Sequence, residues 1–187
     1  MTTLVGYLRI QAHANHLANR RLHAAMASLT RDELHAPRVG FFPSLMATLQ
    51  HILVVDVYYL AALHGEADMV AQADGLQPHD SLSTLAPAQA QVDQRLISFC
   101  AALDDHSVDA EVRMQRRSHV QRDRAGHVLA HLLMHQTHHR GQVHAMLSGT
   151  SVAPPQLDEF LMPSEGHLRT QDMLALGWTQ DQVYGLR

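Results

Sequence analysis

Four long segments with an apolar residue at every third or fourth position constrain the fold of this 187-residue chain most strongly. That spacing puts the apolar side chains on one face of a helix, and such a face is buried by packing against other helices. The predicted helices cover residues 3–29, 44–64, 81–103 and 124–147. Because connections of roughly fifteen to twenty residues join them, we predict an all-α fold, a four-helix bundle.

The ends of these segments carry their own signals. Ser44 is a plausible N-cap of the second long helix, and Gly65 and Gly149 follow the second and fourth helices as C-terminal stop signals. Residues 30–33 (Thr-Arg-Asp-Glu) have the spacing of a capping box and predict a short additional turn.

Some segments depart from helical periodicity. Residues 108–114 alternate apolar and charged side chains, and a second extended piece around 118–121 completes a short predicted β-hairpin before the last long helix. Residues 65–81 are polar and contain Gly and Pro, which predicts a connection. We expect one domain over residues 1–187. From about residue 161 a C-terminal extension follows, after a turn and a short apolar segment reaching Phe160, and includes a short helix at 170–176.

Charge and cysteine content exclude several classes of protein. The formal net charge is −4, and the 14 basic residues are all arginine, with no concentrated basic face, which argues against a nucleic-acid partner. The densest basic run, Arg113 to Arg117, is expected to be a solvated edge. The single cysteine, Cys100, lies in an apolar segment and predicts a buried, inert thiol in a reducing compartment. Without a signal peptide or a recognisable membrane-spanning run, we expect a cytoplasmic chain with no membrane partner.

Four of the 16 histidines fall within residues 131–139 of the last predicted long helix. With about 100° per residue and His131 set at 0°, His138 lies at about −20°, His135 at about +40° and His139 at about +80°. The apolar residues of the same helix fill an arc from about +60° to +160°. Helix geometry therefore selects His135 and His139 as the inward pair, and places His131 and His138 toward solvent or the rim of a cleft.

Two interpretations of this pair are open from the spacing alone. Histidines four residues apart on a helix can present two nitrogens to one metal ion, but a partly exposed histidine-rich helix has the same pattern. A metal also needs a ligand from elsewhere. His51 borders the apolar stripe of the second long helix, where a lone histidine is usually just a packed imidazole. Asn15 and Asn19 pose a similar choice, between hydrogen bonds to a neighbouring helix and two surface positions.

The last long helix contains His135-x-x-x-His139-Arg-Gly-Gln, and this motif resembles the fourth-helix motif of the DinB/YfiT-like metalloprotein superfamily. Three other segments resemble further family signatures in the right order: residues 15–22, 44–56 and 154–158. The resemblance extends to about Phe160. It implies a four-helix bundle in which one histidine of the second helix and two of the fourth hold a divalent metal. Carried over to this chain, these ligands are His51, His135 and His139.

The resemblance also implies a range of functions. Three neutral imidazoles leave a coordination position open, as in catalytic sites, and nitrogen ligands suit several metals. We expect zinc or nickel first, with iron or manganese as alternatives. Some members of the family are similar to enzymes that use low-molecular-weight thiols, whereas others are metal-binding proteins induced under stress. The resemblance also implies that this chain forms a homodimer. The prediction is a metal-dependent enzyme acting on a small molecule, as a hydrolase or thiol S-transferase, with no catalytic residue assigned. The alternative is a non-catalytic metal-binding stress-response protein.

Overall fold

The computed structural model describes residues 3–158 and 162–185, and four long helices dominate it. The elements, in chain order, are α1 (Leu4–Met26), α2 (Arg31–His35), α3 (Leu45–Leu63), α4 (Met69–Asp74), α5 (Leu82–Ala102), a 3-10 turn (Ser107–Asp109), β1 (Glu111–Gln115), β2 (Val120–Arg124), α6 (Ala125–Leu147), a second 3-10 segment (Pro163–Arg169), α7 (Thr170–Leu176) and α8 (Gln180–Tyr184). The all-α prediction with a small hairpin is confirmed, and the long helices lie within a few residues of their predicted bounds.

Side-chain caps explain where the helices begin. The Ser44 hydroxyl accepts a hydrogen bond from the backbone N–H of Ala47 at 3.1 Å, which satisfies one of the free donors of the first turn of α3. Thr30 and Glu33 form the predicted capping box and open α2. At the other end of α3, Gly65 adopts a positive φ of 70°, which costs glycine little.

The bundle core is built mainly from leucines. α1 packs chiefly on α5, and α3 packs on both α6 and α5, with α1 and α6 closing the bundle. The most deeply buried core side chains come from all four long helices: Leu8, Leu22, Leu45, Ile52, Leu53, Leu60, Leu85, Leu129 and Leu132. Cys100 belongs to this core, where burial raises the pKa of its thiol to about 12. The prediction of a buried, inert thiol is therefore confirmed.

Helix α3 is more apolar than the sequence analysis allowed. Its length and composition alone satisfy the requirements of a membrane-spanning helix, so the expectation that no run approaches that length was wrong. However, 61% of its apolar window is buried inside the bundle, and its one carboxylate, Asp56, is buried as well. Burial to this extent is typical of a helix in the core of a bundle, and α3 has that position here.

The predicted hairpin is present, with its second strand displaced along the chain. β1 and β2 pair antiparallel, with Glu111 opposite Arg124 and Gln115 opposite Val120. Val112 and Met114 point to the core, as the alternation predicted, while β2 begins at Val120 rather than near residue 118. The predicted connection at 65–81 also contains α4, whose six residues are too few to show helical periodicity in the sequence.

The C-terminal region packs against α1. Asp172 of α7, a helix that matches the predicted 170–176, pairs with Arg20 and Arg21. The ring of Trp178 lies 4.7 Å from that of His13 and 5.4 Å from that of His16. The apolar segment expected near Phe160 and the predicted start of the extension lie outside the described residues.

Replacing Trp178 with alanine should loosen this C-terminal region. Loss of a half-buried indole ring costs less than the 3–5 kcal/mol of a fully buried one, so we expect about 2 kcal/mol. Limited proteolysis should then cut the C-terminal region of Trp178→Ala faster than that of the parent. Leu174→Ala is the matched control, because Leu174 is 71% exposed. Equal cleavage rates for Trp178→Ala and the parent would show that the ring does not hold the region in place.

Candidate metal centre

Three imidazoles converge where α3 packs on α6. The Nε2 atoms of His51 and His135 lie 3.0 Å apart. The ring centroid of His139 is 4.6 Å from that of His51 and 4.3 Å from that of His135. One ring nitrogen from each of the three lies within 4.8 Å of the other two. The structure therefore brings together the three histidines that the sequence analysis selected, including His51, which no spacing argument had favoured.

The cluster fits a divalent metal by its donor set and by its unused hydrogen-bonding capacity. Bonds of about 2.0–2.1 Å from one ion to imidazole nitrogens put those nitrogens roughly 3–4 Å apart, and the Nε2 atoms of His51 and His135 already have such a separation. The buried Nδ1 of His135 has no hydrogen-bond partner among the described residues. A buried polar nitrogen without a partner is costly, which is one reason why such clusters bind ions.

Burial lowers the pKa of two of the three clustered imidazoles. Burial, followed by the neighbouring His139, His51, His131 and His138, lowers the pKa of His135 to about 4. Burial and then His139 also lower the pKa of His51. Neutral imidazole is the form that donates a lone pair to a metal, so a lowered pKa of these side chains favours metal binding.

Gln142 fixes the orientation of the His139 ring. Its Oε1 lies 2.8 Å from Nδ1 of His139, and its Nε2 lies 3.1 Å from Nε2 of His138. A proton on Nδ1 of His139, donated to Gln142, leaves the lone pair of Nε2 free for the cluster. His138 itself is exposed, as predicted, and contacts the cluster through Gln142 and the His139 ring.

Phe42 covers the cluster from the loop before α3, and the sequence analysis missed it. Its ring centroid lies 4.4 Å from that of His51 and 5.6 Å from that of His139. In the same loop, Gly40 lies against the end of the Met146 side chain of α6, and a Cβ at this position would require the Met146 methyl group to move. An apolar Phe41–Phe42 pair within a Pro- and Gly-containing loop was the available signal.

A cleft of about 310 Å³ opens beside His135. Tyr58, Tyr59, Arg116 and His131 line it together with His135. The guanidinium of Arg116 lies 5.1 Å from the Tyr58 ring centroid and 5.6 Å from that of Tyr59, and it donates to the Tyr59 hydroxyl at 3.2 Å. The prediction that residues 113–117 form only a solvated edge was therefore wrong for Arg116.

A buried polar network lies between the four long helices, behind the cluster. The Asp93 carboxylate of α5 accepts hydrogen bonds from Asn15 at 3.2 Å and from Asn19 at 3.0 Å, and it pairs with His16 at 3.2 Å. Arg140 of α6 in turn donates to the side-chain oxygens of Asn15 and Asn19. Of the two interpretations of these asparagines, hydrogen bonding to neighbouring helices is the correct one.

Two further residues extend the network to α3. Gln89 and Gln136 both donate to Oδ2 of Asp56, and Arg140 donates to Gln136. Complete burial, followed by the negative charge of Asp93, raises the pKa of Asp56 well above its usual value. Burial also lowers the pKa of the Arg140 guanidinium to about 10, which still leaves it charged at pH 7. Asp93 and Arg140 are thus opposite charges joined through two asparagines, with Asp56 held toward its neutral form.

His23, close to this network, should make the stability depend on pH. Burial lowers its pKa to about 4, with Asp93 opposing and Arg140 and His16 reinforcing the shift. The unfolded chain, with a histidine pKa near 6.5, binds the proton more readily below that pH. The free energy of unfolding should therefore fall by about 3 kcal/mol between pH 7 and pH 4 because of His23 alone.

Urea unfolding of the metal-free protein at several pH values measures this effect. His23→Gln should remove that part of the pH dependence, whereas His106→Gln, at an exposed position, should keep it. A parent and His23→Gln protein with parallel pH profiles would refute the assignment to His23.

The fold and the cluster together define a helical-bundle protein with a three-histidine site able to hold a metal ion. The chain belongs to the DinB family, whose sequence profile matches residues 10–172. It is also similar to Protein DinB of Bacillus subtilis (strain 168), at 22% identity over 151 residues that cover 77% of this chain and 87% of the relative. The profile match contains all three histidines of the cluster.

Proposed function

We propose that His51, His135 and His139 bind one divalent metal ion and that the chain is a metal-dependent enzyme acting on a small molecule. The observation that carries this proposal is the convergence of three imidazoles, one of which, that of His135, lines an open cleft. Three protein ligands with no carboxylate among them leave room for a further ligand, which is typical of catalytic zinc sites. Zinc or nickel is the first expectation, and iron or manganese would be bound by the same donor type less strongly.

When bound, such an ion supplies Lewis acidity that lowers the pKa of a coordinated water or thiol. The protein's own contribution is to hold three lone pairs in place, to exclude bulk water with Phe42, and to admit a small molecule past His131 and Tyr59. The reaction type that this arrangement favours is hydrolysis or thiol S-transfer, with a low-molecular-weight thiol as a candidate second substrate.

A cobalt-substituted sample of protein purified without a histidine tag tests the enzymatic proposal. Elemental analysis should find about one metal per chain. Addition of a small thiol such as 2-mercaptoethanol should produce a thiolate-to-cobalt charge-transfer band, because the thiol fills the open position. A cobalt spectrum insensitive to both thiol and azide would mean a closed site and would contradict the catalytic proposal.

The alternative is a non-catalytic metal-binding stress-response protein. One observation favours it: the three histidines come from two helices, so a bound ion would tie α3 to α6. In that case removal of the metal should lower the melting temperature strongly, with no thiol-dependent activity in any screen. Homodimer formation and a cytoplasmic location also stay predictions, which light scattering and cell fractionation would test.

A further inference from the structure

We infer that the cleft beside His135 binds a small-molecule carboxylate, held by Arg116 at the end of the cleft away from the metal ligands. This inference rests on the proposed function, since it names the class of molecule that the same site accepts. Its starting point is a guanidinium without a salt bridge: among residues 3–158 and 162–185, no carboxylate oxygen lies within 4.0 Å of the Arg116 nitrogens, and Asp123 acts on it only from a longer distance.

The hydrogen bonds of Arg116 hold its head group in place without saturating it. Its Nε donates to Oε1 of Gln121 at 3.0 Å, and its Nη2 donates to the hydroxyl of Tyr59 at 3.2 Å. No hydrogen bond of Nη1 to the described residues is present. The two tyrosine rings fix the plane of the guanidinium, so its remaining N–H donors are oriented before any ligand arrives.

The acidic residues nearby are engaged elsewhere or exposed. Asp123 accepts from Nε2 of Gln121 at 2.6 Å, which places Gln121 between its carboxylate and Arg116. Asp74 lines the outer part of the cleft and is exposed to solvent. The positive charge of Arg116 is thus available to an anion, and its partial burial makes that attraction stronger than at a fully exposed arginine.

The cleft connects this cation to the histidine cluster. His131 contacts the Tyr59 ring, at a centroid distance of 5.2 Å, and lies 6.4 Å from the His135 ring. Arg116, Tyr59 and His131 also line an adjoining cavity of about 420 Å³ along the hairpin. The Asp123 carboxylate lines that second cavity but not the cleft beside His135, so an anion on Arg116 is expected in the cleft. A molecule with its anionic group on Arg116 therefore has its other end directed toward His135. A single arginine fits one carboxylate, whereas phosphate groups are usually bound by several donors of positive charge or by a helix N-terminus.

Binding of benzoate and of its neutral isostere benzamide tests this inference. Nitrogen–proton NMR titrations would follow the backbone amides of residues 114–121 in the parent and in Arg116→Gln, and also Arg116 Nε–H in the parent, each in metal-loaded and chelator-treated form. We expect the parent to prefer benzoate over benzamide and Arg116→Gln to bind benzoate about tenfold or more weakly, with its benzamide affinity unchanged. Arg116→Lys, which keeps the charge, should retain part of the preference. Propyl phosphate, as a third probe, should bind no more tightly than benzoate.

Arg117→Gln is the matched control, because it removes the same charge from an exposed neighbour that does not line the cleft. An Arg116→Gln protein that binds benzoate as the parent does, or loses benzoate and benzamide equally, overturns the inference. A preference for propyl phosphate overturns it as well. The chelator-treated arm separates the two proposals: failure of any protein to load metal contradicts the proposed function, whereas benzoate recognition by Arg116 is measured there without metal.

Discussion

His139→Ala should lose bound metal while its helical content stays close to that of the parent. His139 is buried and central to the cluster, with its ring facing both His51 and His135. Loss of a residue that only supports a ligand typically costs ten- to a hundredfold in metal affinity, so loss of a ligand should cost more than about a hundredfold. Elemental analysis after gel filtration and a competition titration with a chromogenic chelator would measure this.

Two other histidines of α6 provide graded controls for the same measurement. His127 is exposed and lies outside the cluster, so His127→Ala should keep the parent's metal affinity. His138→Ala removes the contact that helps to hold Gln142 and a ring contact with His139, but no ligand, so we expect at most about a tenfold loss. Equal metal content in His139→Ala and the parent would show that the cluster is not the site. Circular dichroism of each variant checks that the fold is intact.

Asp93→Asn should be the most destabilising single substitution in the buried network. The carboxylate accepts hydrogen bonds from side chains of α1 and from Gln89 of its own helix, α5, and it is the counter-charge of the buried Arg140. Removal of one member of a buried charge pair typically costs 3–5 kcal/mol, because the other charge remains buried without compensation. We expect about 3 kcal/mol, since Asp56 ionises more easily once Asp93 no longer repels it.

Urea unfolding at pH 7 measures this loss, with Asp80→Asn as the matched control. Asp80 pairs with Arg31 on the surface, where both side chains are more than half exposed, and such pairs contribute little. The double variant Asp93→Asn with Arg140→Met should be destabilised by less than the sum of the two single variants, because it leaves no uncompensated charge. Additive losses would show that the two charges do not interact.

Periodicity was sufficient to predict the long helices and two of the three histidines of the cluster. The apolar stripe on residues 124–147 put His139 inside the core-facing arc and His135 on its border, as the structure has them. His51 could not be selected this way, because a ligand and a packed imidazole beside an apolar stripe have the same spacing. Only the family resemblance singled it out, and its position opposite His135 depends on how α3 and α6 pack.

The same angular argument, applied to polar residues, would have found part of the buried network. With His131 at 0°, Gln136 falls at about +140°, within the apolar arc, and Arg140 at about +180°, at its edge. A glutamine inside an apolar arc is a signal for a buried hydrogen bond. Helical periodicity could not have placed Phe42 or Arg116 at the site. A loop and a hairpin bring these two residues there, and the path of a loop cannot be predicted from periodicity.

Residues of the metal cluster and of the buried network alternate along α6. His135 precedes Gln136 and His139 precedes Arg140, so each candidate ligand adjoins a side chain that bonds to α1 or α3. Rotation of α6 about its own axis would turn the histidines away from His51 only by breaking the hydrogen bonds of Gln136 and Arg140. A protein designer who wished to transplant this centre into another bundle would therefore need to copy His51, six consecutive residues of α6 and their partners Asn15, Asn19 and Asp56, rather than three histidines alone.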